Sequence, residues 1–108
     1  MAWPPTVQTV TVTGTFLQPD GSPYAGAVSF TLVEAVSSAE HDAVVLGTLT
    51  VPLDTEGALT VQLLATDAAG FEPSGWLYRV DEQRVGGPAR AYYLALPAAV
   101  PEVVLPGV

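Results

Sequence analysis

Residues 7–32 read VQTVTVTGTFLQPDGSPYAGAVSFTL. Over residues 7–17, Val10, Val12 and Phe16 fall on one face with Gly14 in phase. Thr9, Thr11, Thr13 and Thr15 fall on the other. Alternation with period two in β-branched residues predicts a strand with one buried face. Gly14 interrupts that face without a side chain, which predicts a bulge or a close neighbour. Pro19-Asp20-Gly21 turns the chain, because proline presets φ and glycine accepts a positive one. Pro23 and Gly26 lengthen the turn. A second alternating run then covers residues 27–33, with Val28, Phe30 and Leu32 opposite Ser29 and Thr31.

The same pattern continues along the chain. Residues 43–53 predict a strand broken at Pro52, and Asp54-Thr55-Glu56-Gly57 predicts a hairpin turn into a strand over residues 58–64. Leu59, Val61 and Leu63 are its inward set, with Thr60 and Gln62 outward. Residues 66–75 form the longest expected loop. Residues 76–82 predict a strand with Trp76, Tyr78 and Val80 on one face and Arg79 and Asp81 on the other. Gly86-Gly87-Pro88 turns the chain into a strand over residues 89–96. Residues 34–42 read as a loop or a short helical turn. No segment carries a sustained helical period with caps. About six or seven short strands at regular spacing predict an all-β fold, a sandwich or barrel. The expected organisation is an apolar N-terminal arm over residues 1–6, one sandwich domain over 7–96, and a Pro-rich apolar arm over 97–108.

Composition narrows the function classes. With 108 residues, 49% hydrophobic and 13% charged, the chain supports one domain with a modest core. Formal net charge is −8, with three cationic residues, Arg79, Arg84 and Arg90, against eleven carboxylates. That balance argues against nucleic acid, which needs a basic patch, and against anionic membrane surfaces. No apolar run has the length of a membrane helix. The opening Met-Ala-Trp-Pro-Pro lacks the basic and apolar regions of a secretory signal, so synthesis in a cytoplasm is expected. The chain has no cysteine, hence no disulfide and no thiolate ligand or nucleophile. Lysine, asparagine and isoleucine are also missing; their codons are A/T-rich, which implies a high-GC genome.

Gly14, the turn PDGSPYAGAVSFTL, the Asp54–Gly57 turn, the aromatic strand and the Gly86-Gly87 hairpin together resemble the carboxypeptidase-regulatory or transthyretin-like sandwich. The resemblance spans roughly residues 10–96, and an immunoglobulin-like sandwich shares the strand pattern. The segments TVTGTFLQPDGSPYAGAVSFTL, LDTEGALTVQLLATD, PSGWLYRV and ARAYYLALP also look like β-sandwich modules from the virion surface of actinobacterial phages. That resemblance implies a single sandwich of about seven strands acting as a non-enzymatic virion protein. Its leading form is a capsid decoration or cement protein. A minor tail or receptor-binding module is the first alternative and a carbohydrate-binding module the second. The implied partners are other virion proteins, the major capsid protein or tail subunits, and further copies of the chain, for which a trimer is one symmetric solution.

Candidate site residues are few. His41 is the single histidine, and a metal site would need ligands converging on it from elsewhere. Asp20-Gly21 and Asp54–Gly57 match turn chemistry rather than a calcium loop. No nucleophile elbow or paired-carboxylate motif is present. No catalytic residue, metal ligand or cofactor is therefore expected. Phe71, Trp76 and Tyr92 are the candidates for an exposed ligand loop, with core packing as the competing role for Trp76. Trp3, Val100, Val103, Val104, Leu105 and Val108 are the candidates for a partner surface, because a free apolar arm marks one. The competing expectation is that the arm packs on its own domain as an edge strand, and the two are compatible.

Overall fold

The computed structural model describes residues 3, 6–87 and 89–105. These residues build nine strands and no helix. They are β1 (Thr9–Thr15), β2 (Gly26–Leu32), β3 (Val36–Ser38), β4 (Ala43–Val45), β5 (Thr48–Pro52), β6 (Ala58–Leu64), β7 (Tyr78–Arg84), β8 (Arg90–Leu94) and β9 (Glu102–Val104). Two sheets face each other, one in the order β6-β1-β9 and one in the order β5-β2-β7-β8. β3 and β4 form a separate two-stranded ribbon. The molecule is long and narrow, 48 × 25 × 23 Å.

The all-β expectation holds, with nine strands in place of about seven. Residues 34–42 are neither loop nor helical turn alone: β3 lies within them and pairs antiparallel with β4, Val36 opposite Val45. The strand expected over residues 43–53 divides at Leu46-Gly47, not at Pro52. Gly47 takes φ +98°, which strand-forming residues avoid. Pro52 stays in β5 opposite Ala27. The reason lies in the ladder. Leu53 N–H donates to Gly26 C=O and Leu32 N–H to Gly47 C=O. Bonded pairs alternate along an antiparallel ladder. Val28/Val51 and Phe30/Leu49 are therefore bonded, and position 52 turns its backbone nitrogen to the free edge. Proline removes no ladder bond there.

The stretch over residues 7–32 crosses between layers. β1 belongs to one sheet and β2 to the other, so residues 16–25 carry the chain across the sandwich. Asp20 fixes the turn: its carboxylate accepts from the Ser22 N–H at 3.0 Å and the Ser22 hydroxyl at 2.6 Å. Those bonds, the hydroxyl's first, hold the Asp20 carboxyl below its usual range. Asp54 fixes the second turn, its Oδ1 accepting from Glu56 N–H at 2.8 Å and Ala58 N–H at 3.0 Å.

The core fills the space between the sheets. Val10, Val12, Leu59, Leu63 and Leu64 come from one sheet, and Val28, Phe30, Tyr78, Val80 and Leu94 from the other. Outward faces carry the threonines, as alternation requires. Gly14 marks a close neighbour and no bulge, since β1 and β6 stay in register through it. A Cβ at Gly14 would meet the Cβ of Leu105 at 3.2 Å. Leu105 comes from the C-terminal segment. β9 pairs parallel to β1, Val12 opposite Val103. Leu105 N–H donates to Thr13 C=O at 2.7 Å, and Thr11 N–H to Pro101 C=O at 2.9 Å.

Candidate functional site

Three features stand out from the core: a buried charge cluster at one end of the sandwich, an apolar end opposite it, and the segment around residues 66–76. The charge cluster centres on Glu82, which is fully buried in β7. Glu82 follows Tyr78 and Val80 on the inward face, and Arg90 lies directly opposite it on β8. Its Oε1 accepts from Arg84 Nη1 at 2.9 Å and Arg90 Nε at 3.0 Å. Its Oε2 accepts from Arg90 Nη2 at 2.9 Å and the Tyr92 hydroxyl at 2.6 Å. Burial alone would raise the Glu82 carboxyl. The hydrogen bonds from Arg90 and Tyr92 and the charges of Arg90 and Arg84 outweigh it and hold the group below its usual value. Arg84 lies over the rings of Phe16 and Tyr24, 5.8 and 5.6 Å from their centroids. Arg90 lies 5.0 Å from the Tyr92 centroid. Burial and the Glu82 carboxylate push the Tyr92 phenol well up. Each oxygen of the one buried carboxylate is taken by neighbours, an arrangement suited to locking β7 to β8.

The aromatics expected in an exposed loop are not exposed. Phe71 and Trp76 are both buried in the core. The Trp76 ring meets Tyr78 edge-on at 4.8 Å, and its indole N–H has no hydrogen-bond partner among the described residues. The physical reason is that residues 66–76 do not stand off as a loop. Thr66 is buried, its N–H donates to Leu96 C=O, and its hydroxyl accepts from Leu96 N–H at 3.1 Å. Glu72 exchanges backbone bonds with Ser37 on β3. The segment is thereby tied to both ends of its surroundings, with Phe71 and Trp76 turned inward. Tyr92 is half-buried in the Glu82 cluster, and Tyr93 beside it is exposed. His41 stacks on Phe71, centroids 5.3 Å apart and planes within 17°. Among the described residues no group of three or more acids or histidines converges on a metal position.

The proposed partner residues separate by face. Leu105 is buried and Val103 half-buried against the core, while Val104 is 68% exposed and Val100 48% exposed. This is strand alternation in β9, with Val104 on the outer side. Trp3 packs against the core at the opposite end of β1 from Leu105. Val108 lies outside the described residues, as do Met1, Ala2, Pro4, Pro5 and Pro88.

Besides Val100, Val104 and the isolated Leu17, Val85 and Tyr93, exposed apolar side chains occur where the ribbon meets the four-stranded sheet. Val44 is 63% and Leu46 67% exposed, and Val33, Leu49 and Leu77 accompany them. Val33 N–H donates to Leu77 C=O, which places those two side by side. Next to them a cleft of about 150 Å³ opens between β5 and β6, lined by Trp3, Phe30, Leu46, Leu49, Leu63 and Tyr78 among others. The tight Asp54–Gly57 turn holds β5 and β6 together at one end, and they enter different sheets from there. The cleft lies toward their separated ends.

No family model, curated protein or solved structure matches this chain. Two groups of residues were not singled out by sequence reasoning. Glu82 was legible, because it falls in phase with Tyr78 and Val80 and so had to point inward. The apolar end had no such signal. Val33, Val44 with Leu46, and Leu77 lie on three separate segments that only the ribbon and the sheet bring together.

Proposed function

We propose that this chain is a non-enzymatic structural module of a phage virion and that it sits in the tail. The observation that carries the reading is the fate of the two end segments. The described part of each packs on its own sandwich, Trp3 at one end of β1 and Leu105 at the other. A capsid cement working through its arms needs those arms free to lie between neighbouring subunits. Here Trp3, Val103 and Leu105 are already spent on the core, which leaves Val100 and Val104 as the exposed apolar side chains of the described end segments. The chain passes lengthwise through a narrow sandwich instead, which suits a bead held in line in an extended assembly. The buried Glu82 cluster fits the same role, since it stiffens a strand pair and leaves no open carboxylate for chemistry. Sugar stacking on Phe71 and Trp76 loses its support, because both rings lie in the core.

Capsid decoration is the second reading, and the exposed Val44 and Leu46 at the apolar end favour it. A patch of this kind marks a partner site. Gold-labelled antibody against the chain, applied to intact particles, separates the two. Label along the tail is expected. Label over the head would overturn the tail reading in favour of decoration, and unlabelled particles would overturn both.

A further inference from the structure

β5 is an edge strand, paired with β2 and with no strand on its other side among the described residues. The ladder geometry turns the N–H and C=O groups of Thr48 and Thr50 toward that open edge. Natural edges are blunted by charge, by proline or by a covering segment. Pro52 blunts only the far end of β5. Residues 43–53, AVVLGTLTVPL, carry no charge in a chain of net charge −8. The side chains beside the edge are also held in place. The Thr48 hydroxyl is bonded to Thr31 at 2.8 Å and the Thr50 hydroxyl to Ser29 at 3.0 Å, both across β2 and away from the free side. On the inner side of the same edge, Leu49 is exposed and lines the cleft between β5 and β6, with Leu46 and Trp3 at its rim.

We propose that the β5 edge and this cleft form one site that accepts an extended segment of a partner protein by strand addition. The partner segment alternates apolar and small polar residues and carries no acid. Its backbone pairs with Thr48 and Thr50, continuing the four-stranded sheet by one strand. Alternate side chains then point inward, as they do along any strand. One of them enters the cleft, whose volume of about 150 Å³ is in the range that holds a benzene-sized group. The opposite side chains lie over the threonine row. Main-chain bonds supply general affinity and the cleft supplies selectivity. The absence of charge along residues 43–53 leaves nothing at the edge to repel such a segment, while the acidic remainder of the surface rejects acidic ones. The site does not depend on the virion reading.

The test uses the full chain labelled with ¹⁵N and, as probe, a short acetylated and amidated peptide alternating valine and threonine. Titration should shift the Thr48 and Thr50 amide signals, slow their hydrogen exchange and change the fluorescence of Trp3. The same peptide with aspartate in place of valine should leave all three unchanged. Thr50→Pro removes a donor that faces the free edge and should weaken binding about tenfold. Leu49→Asp, at the cleft, should abolish it. Failure of the valine peptide to shift Thr48 and Thr50 at millimolar concentration would overturn the proposal. So would a shift confined to the other edge at Tyr93, or slow exchange of both amides before any peptide is added, because the chain would then cover its own edge.

Discussion

Glu82→Ala tests whether the buried charge cluster holds the sandwich together. The substitution removes the acceptor of four hydrogen bonds, from Arg84, twice from Arg90, and from Tyr92. Removing one partner of a buried ion pair costs about 3–5 kcal/mol, because the remaining charges stay desolvated. Here the two arginines differ. The Arg90 side chain is 49% exposed and can turn to water, whereas that of Arg84 is 13% exposed and cannot. The expected loss is therefore near the low end, about 3 kcal/mol. For a domain of this length that corresponds to a fall in Tm of roughly 12 °C or more. Thermal unfolding followed by circular dichroism measures it. Acid adds a second reading of the same cluster. The folded state holds the Glu82 carboxyl below its unfolded value of about 4.3. Its contribution is fully present above that value and is lost as pH falls through the lower folded one. Wild type should therefore exceed Glu82→Gln in stability at neutral pH, and the gap should close in acid. A Tm drop of less than about 3 °C for Glu82→Ala, or a gap to Glu82→Gln that ignores pH, would show that the cluster does not hold β7 to β8.

Gly14→Ala should cost about 1 kcal/mol, since Leu105 must give by a few tenths of an ångström; Leu105→Ala should cost about 2 kcal/mol, and the double variant less than the sum, read from urea unfolding. Tyr78→Phe removes a buried hydroxyl bonded to Leu64 C=O at 2.9 Å and should cost about 1–2 kcal/mol in the same assay. Burial pushes the Tyr78 phenol well up, so wild type should lose stability as pH rises past about 10 and Tyr78→Phe should lose less. Val44→Asp and Leu46→Asp should leave Tm unchanged, within about 0.5 kcal/mol of stability, because both side chains are mostly in water; under the decoration reading, they should also strip the chain from particles.

The β class was written in the period-two pattern of residues 7–33, 58–64 and 76–82. Alternation is a local property, and it placed Val10, Val12, Val28, Phe30, Leu59, Tyr78 and Val80 on the core face before any pairing was known. The turns at Asp20–Ser22 and Asp54–Gly57 were local too, since each is closed by an aspartate bonding backbone within four residues of itself. The same alternation pointed Glu82 inward. Its partners were not legible, because Arg90 and Tyr92 reach it only through the register of β7 and β8. β3 within residues 34–42 is not legible for a related reason: a strand of three residues has no period to read, and β3 exists because β4 pairs with it.

What the tertiary structure alone decided is where Trp3 and the segment up to Leu105 go. The composition of residues 97–108 fits a free adhesive arm and a packed strand equally well. Gly14 and Leu105 are far apart in sequence, and nothing in either segment names the other. Packing made the choice, because the side chain missing at Gly14 leaves a notch in β1 that Leu105 fills as β9 joins the sheet. Sequence by itself determined which residues are apolar and how they alternate. Long-range pairing determined which of them were left in water, among them Val44 and Leu46 at the far end from the cluster around Glu82, and Val85 and Val104 elsewhere.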